Sequence, residues 1–180
     1  MDNESYTSDM GGLEYLESLG SATNLLDTIE GLIGHASFFE DLTHEEVGIL
    51  CTYLKAYKAR PGQEIIREGD HDDFMLLVIS GSVNIVKVDS HGDVRPMSIV
   101  QAGSTLGEMS MIDGEPRFAS CVAIDTTIFV ALGRDDMVKL ILEHTSIGAK
   151  VLIKLVTMLS KRLRTTSSQL IEYMERTEAV

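Results

Sequence analysis

The stretch from Tyr57 to Gly107, YKARPGQEIIREGDHDDFMLLVISGSVNIVKVDSHGDVRPMSIVQAGSTLG, leaves few choices of structure. Its apolar runs are short, and Pro61-Gly62, Gly69-Asp70, Ser80-Gly81, His91-Gly92 and Ala102-Gly103 separate them. Helices of ordinary length do not fit between breakers set so closely, whereas short strands joined by tight turns do. Strands at such regular spacing predict an antiparallel β-roll, jelly-roll or barrel. ASCVAI and TIFVAL, on either side of Asp125, supply two more strands, and the β section ends near Leu132.

Helical patterns flank it, so the expected class is α+β. LLDTIEGLIG places apolar residues at 25, 26, 29, 32 and 33, and DLTHEEVGILCTYL follows with Thr43 and Glu46 spaced as a capping box. RDDMVKLILEH opens a helix at Arg134, and a longer one is predicted from about Ile147 to Glu175. Along it Leu152, Val156, Leu159, Leu163, Thr166, Leu170 and Tyr173 alternate in steps of four and three. That is a heptad seam, which asks for a partner helix and predicts a homodimer; the alternative is a helix lying on its own sheet. Thr166 in the seam, with Ser167 beside it, points to a polar ligand there, since a polar seam position weakens the helix pair. Lys150, Lys154, Lys161, Arg162 and Arg164 read as a solvated face. Residues 1–24 hold Asp2, Glu4, Asp9, Glu14 and Glu17 and no Lys or Arg, which predicts a mobile acidic leader with a short helix at LEYLESL. The expected division is a leader at 1–24, a β-roll with flanking helices at 25–145, and a dimer helix with its tail at 146–180.

At 180 residues the chain can fill one core and carry an appended helix. Its 28 acidic against 15 basic residues give a formal net charge of −13, which argues against general binding to DNA or an anionic membrane. Cys51 and Cys121 sit in apolar segments without motif spacing and are expected to be reduced thiols of a cytoplasmic protein. No secretory signal and no bilayer-length apolar run is visible. The five histidines are scattered, and His71 with Asp70, Asp72 and Asp73 reads as an acidic turn rather than a metal loop. Neither a nucleophile elbow nor a phosphate-binding Walker loop is present, so neither catalysis nor a metal or cofactor is expected.

The segment GEMSMIDGEPRFAS, residues 107–120, carries the chemistry. Gly107 allows a tight turn, Glu108 opens a short helical turn whose N–H groups favour an anion, and Arg117 offers a planar fork of donors to a phosphate. A carboxylate beside that arginine suits a sugar hydroxyl. Phosphate and hydroxyl recognition together suggest a nucleotide of low charge, a cyclic one. Taken alone, Glu108 and Arg117 read rather as a surface ion pair, since exposed pairs are common and contribute only ~0 to 1 kcal/mol.

This segment resembles the phosphate-binding cassette of the cyclic nucleotide-binding domain family. PGQEIIREGD and LLVISGSVNIVK are similar to other landmarks of that family, and the likeness covers about residues 35–170. KRLRTTSSQL is similar to the central dimer helix of its catabolite activator branch, in which the helix leads into a helix-turn-helix; no DNA-binding role of that kind is expected here. The resemblance implies that Gly107 and the next backbone amides, Met109 included, hold the cyclic phosphate. It implies that Arg117 neutralises the phosphate and that Glu108 accepts from the ribose 2′-hydroxyl. Thr166 and Ser167 would cover the base, one from each subunit, which favours cyclic AMP over cyclic GMP.

Phe118 and Ala119 follow the arginine, where the family usually has a small residue or a hydroxyl. Phe118 is open to three placements: near the base, narrowing the pocket, or turned into the core, as aromatics on strands often are. The function expected is a stand-alone cyclic nucleotide sensor that signals through an effector protein. The alternatives are a scaffold of the same fold without ligand, and a sensor of another second messenger such as cyclic di-GMP.

Overall fold

Strand pairing sorts the β section into two antiparallel sheets in the computed structural model, which describes residues 12–34 and 36–178. Asp2, Glu4 and Asp9 of the expected leader, and His35, lie outside the described residues. The strands are β1 (Glu17–Ser21), β2 (Lys55–Ala59), β3 (Glu64–Ile66), β4 (Phe74–Ser80), β5 (Ser82–Val88), β6 (Val94–Gln101), β7 (Thr105–Leu106), β8 (Ser120–Ala123) and β9 (Thr127–Gly133). The α-helices are α1 (Leu26–Glu30), α2 (His44–Cys51), α3 (Glu108–Asp113), α4 (Arg134–Glu143) and α5 (Thr145–Glu178). One sheet runs β1-β2-β9-β4-β7 and the other β3-β8-β5-β6. The architecture is α+β as expected, though the strand pairing closes no barrel: both sheets keep open edges.

The hydrophobic pattern of β4 shows how the layers stack. Every residue from Phe74 to Ile79 is buried, because the two faces of this strand meet different cores. Phe74, Leu76 and Val78 pack between the sheets with Tyr57, Ile66, Val83 and Phe129. Met75, Leu77 and Ile79 face the helices, with Phe39, Leu50, Leu140, Val151 and Leu155. A strand buried on both sides reads as an unbroken apolar run rather than an alternating one. At the following turn Gly81 has φ +89°, and a Cβ there would lie 2.7 Å from both Asp125 Oδ1 and the Thr126 carbonyl oxygen. Only glycine fits that turn.

Local signals set α2. Thr43 caps it by accepting from the Glu46 amide at 3.2 Å, and the Glu46 carboxylate accepts from the Thr43 amide at 2.9 Å, the expected capping box. The leader departs from expectation. Its described part is not helical at LEYLESL: Leu13 and Leu16 are buried between the sheets, and β1 pairs antiparallel with β2. Glu17 lies opposite Lys58 in that pairing and 3.3 Å from its ammonium. The leucines spaced among the acidic residues supply the burial that a wholly polar segment would lack.

Helix α5 has two apolar stripes. Ile147, Val151 and Leu155 enter the core and Met158 packs against it, while Leu152, Val156, Leu163, Leu170 and Tyr173 of the heptad seam are exposed. Of the five cations that read as a solvated face, three are paired. Lys150 Nζ reaches Glu46 at 2.7 Å, Lys154 Nζ reaches Glu40 at 2.6 Å and Asp41 at 3.4 Å, and Arg162 reaches Glu108. Cys51 and Cys121 are free and buried. Among the described residues no helix is long and apolar enough to cross a membrane.

Candidate functional site

Gly107 stands at the turn from β7 into α3 with φ +76°. A Cβ here would lie 2.6 Å from Arg117 Nη1 and 3.1 Å from the Phe74 carbonyl oxygen, so neither the backbone nor the space admits a side chain. The turn directs Glu108, the first residue of α3, into the interior, where it is 1% exposed. Arg117 is buried as well, at 3% exposure.

The two charges are held by different parts of the fold. The Arg117 backbone is clamped on the acidic turn, its amide donating to the Asp70 carbonyl at 2.8 Å and its carbonyl accepting from the Gly69 amide at 2.9 Å. Its Nη1 donates to the Gly107 carbonyl at 2.9 Å, and its guanidinium carbon lies 4.3 Å from the centre of the Phe74 ring. Asp72 Oδ2 stands 3.9 Å from Nε. The turn that reads as acidic punctuation thus supplies a counter-charge behind the arginine. On the other side Glu108 Oε1 accepts from Arg162 Nη1 of α5, and Arg162 Nη2 donates to the Thr105 carbonyl at 2.9 Å. Burial pushes the Glu108 carboxyl above its ordinary pKa, with Arg162 and Arg117 pulling the other way. Burial also pulls Arg117 down, with Asp72 opposing.

Some of this polar surface is left over. Among the described residues Arg117 Nε and Nη2, Glu108 Oε2 and Thr105 Oγ1 are buried without a hydrogen-bond partner. A buried polar atom in that state costs about 1–3 kcal/mol, and more when charged. Arg117 and Glu108 both line a cavity of about 110 Å³. Gly107, Glu108, Met109, Arg117, Phe118 and Ala119 all line it, so the structure gathers six of the eight residues singled out in the sequence. Thr166 lines a larger adjoining cavity of about 600 Å³ between the β5–β6 hairpin and α5. Ile85, Phe118, Ala119 and Arg162 border both cavities. Ser167 is exposed on α5 and lines neither.

Phe118 is not in the core, since 53% of it is exposed. Cys121 also lines the smaller cavity, and burial pushes its thiol up to about 12, so it adds no negative charge there. Sequence reasoning missed Arg162. Its position carried a signal: it follows Val151, Leu155 and Met158 on the helix stripe that faces the core, where a free cation would be out of place.

The profile of the cyclic nucleotide-binding domain matches residues 57–144. A solved cyclic nucleotide-binding domain from Methylobacillus flagellatus is 37% identical, with a TM-score of 0.78, over 87% of this chain and 88% of its own. The chain belongs to the cyclic nucleotide-binding domain family. The catabolite activator protein of Thermus thermophilus has a TM-score of 0.70 at 31% identity, over 75% of this chain and 62% of that one. The cyclic AMP receptor protein of the same organism is 31% identical over 132 residues, 73% of this chain and 59% of the receptor. A cGMP-dependent protein kinase from Eimeria tenella is 29% identical over 103 residues, 10% of the kinase. The chain therefore spans only part of the curated relatives it matches, and what it shares with them is the sensor domain.

Proposed function

We propose that this chain is a cyclic nucleotide sensor, with cyclic AMP as its ligand, that acts as a homodimer and signals through an effector protein. The observation that carries the reading is the set of unpartnered buried atoms on two residues that line one cavity: two donor nitrogens on Arg117 and one acceptor oxygen on Glu108. A cyclic phosphodiester brings one negative charge to the arginine, and the ribose brings a hydroxyl to the carboxylate. A divalent phosphate monoester would suit the neighbouring Glu108 and Asp72 less well.

In this reading Arg117 neutralises the phosphate, supported by Gly107 and the first amides of α3, which have no acceptor within their own helix. Glu108 Oε2 accepts from the 2′-hydroxyl. Thr166 meets the base from the same chain, and Ser167, which lines neither cavity of its own chain, serves the partner's site. Two hydroxyls and no guanine-specific donor after Arg117 favour adenine, in keeping with the cyclic AMP named in the Thermus receptor.

The output runs through α5. Arg162 joins Glu108 to the long helix, so the charge that receives the ribose also holds the dimer element. Binding shifts the population of α4 and α5 positions through this contact. Calorimetric titration with cyclic AMP, cyclic GMP and cyclic di-GMP tests the reading. Cyclic AMP is expected to bind saturably and more tightly than the others, and Arg117→Ala to lose at least tenfold in affinity. A folded protein that takes up none of the three would refute it.

A further inference from the structure

Phe118 raises a problem that its neighbours answer. A phenyl ring 53% exposed at the entry to a strand is held from outside by Lys87 of β5. The Lys87 ammonium stands 4.2 Å from the ring centre, donates to the Phe118 carbonyl at 2.6 Å, and donates to Glu68 Oε1 at 2.7 Å. Glu68 is fixed in turn: its other oxygen accepts from the Val88 amide at 2.9 Å, and its own amide donates to Ser120 Oγ at 2.9 Å. One cation therefore grips both the ring and the peptide of Phe118, and it is anchored to two neighbouring segments. A cation over a ring face fixes the ring's plane as well as attracting it.

The held ring borders both cavities, between the buried Arg117–Glu108 pair and the space lined by Thr166. A nucleotide with its phosphate on Arg117 has to pass its base across this border. We propose that Phe118, oriented by Lys87, is the stacking platform for the nucleobase. This rests on the cyclic nucleotide reading of the cavity and goes beyond it: an aromatic face, set by a lysine outside the cassette, supplies base affinity where no hydroxyl follows the arginine. Stacking takes any base, because every base has a π face. Discrimination of adenine from guanine is then left to α5, and Lys87 is a positioning residue that acts through Phe118.

The chain contains no tryptophan, so Phe118→Trp places a single reporter at the site. Cyclic AMP is expected to quench its emission saturably, with the midpoint found by calorimetry. Phe118→Tyr should keep the affinity for cyclic AMP, and Phe118→Leu, apolar but without a π face, should lose about tenfold, within the range of base–aromatic stacking. In the Phe118→Trp background Lys87→Met should reduce the quenching and Lys87→Arg restore it. Calorimetric binding without any emission change, with full affinity in Phe118→Leu, overturns the platform and leaves the sensor reading standing. Quenching untouched by Lys87→Met overturns the role of Lys87. If the unsubstituted protein binds no cyclic nucleotide by calorimetry, the reading of the cavity fails and the platform fails with it.

Discussion

Glu108 and Arg117 are legible in the sequence because they lie in one short segment whose turn residues fix their directions. The atoms that complete them are not local. Asp72 comes from an acidic turn and Arg162 from a helix 54 residues beyond Glu108, and each reaches the site only through the fold. Glu108 is the sharper test of the chemistry, since its Oε2 has no partner among the described residues. Glu108→Ala is expected to weaken cyclic AMP binding by about 1.5–3 kcal/mol, the usual loss when a hydrogen bond to a charged group is removed. Titration of the variant measures it, and an unchanged affinity would take Glu108 out of the site. The placement of Phe118 was open in the sequence because a strand-like pattern does not say which face of a strand end is covered. Lys87 decides it, from a strand far along the chain.

Among the elements, those set by neighbours in sequence are the ones the sequence predicts well. The capping box of α2 is such a case, and its worth is measurable: Thr43→Ala should lower stability by about 1 kcal/mol in a denaturant melt. A loss near zero would mean that the Glu46–Lys150 pair, not the cap, holds the start of that helix. Strand β1 is the opposite case. Its acidic composition suggests disorder, and what orders it is the non-local pairing with β2 together with two leucines buried between the sheets. Strand β4 shows the same limit in milder form. Its apolar run announces a buried strand but not that the strand serves two cores.

At the scale of the whole molecule α5 joins the cavities, which Arg162 and Thr166 line, to an exposed outer face. Its inner stripe is fastened by Lys150, Lys154 and Arg162, while the outer seam of Leu152, Val156, Leu163, Leu170 and Tyr173 is exposed. An exposed heptad seam on a 34-residue helix is the basis for expecting a homodimer. Sedimentation should give about twice the 19.8 kDa chain mass, and Leu163→Glu combined with Leu170→Glu should return it to one chain. A monomer before substitution would remove the seam from the account. Occupancy at Arg117 and Glu108 is expected to be felt by α4 and α5, and amide hydrogen exchange over residues 134–178, with and without cyclic AMP, measures it. Exchange there should change on binding in the unsubstituted protein and not in Arg117→Ala. Identical exchange with and without nucleotide, in a protein shown to bind it, would mean that neither helix responds to the ligand.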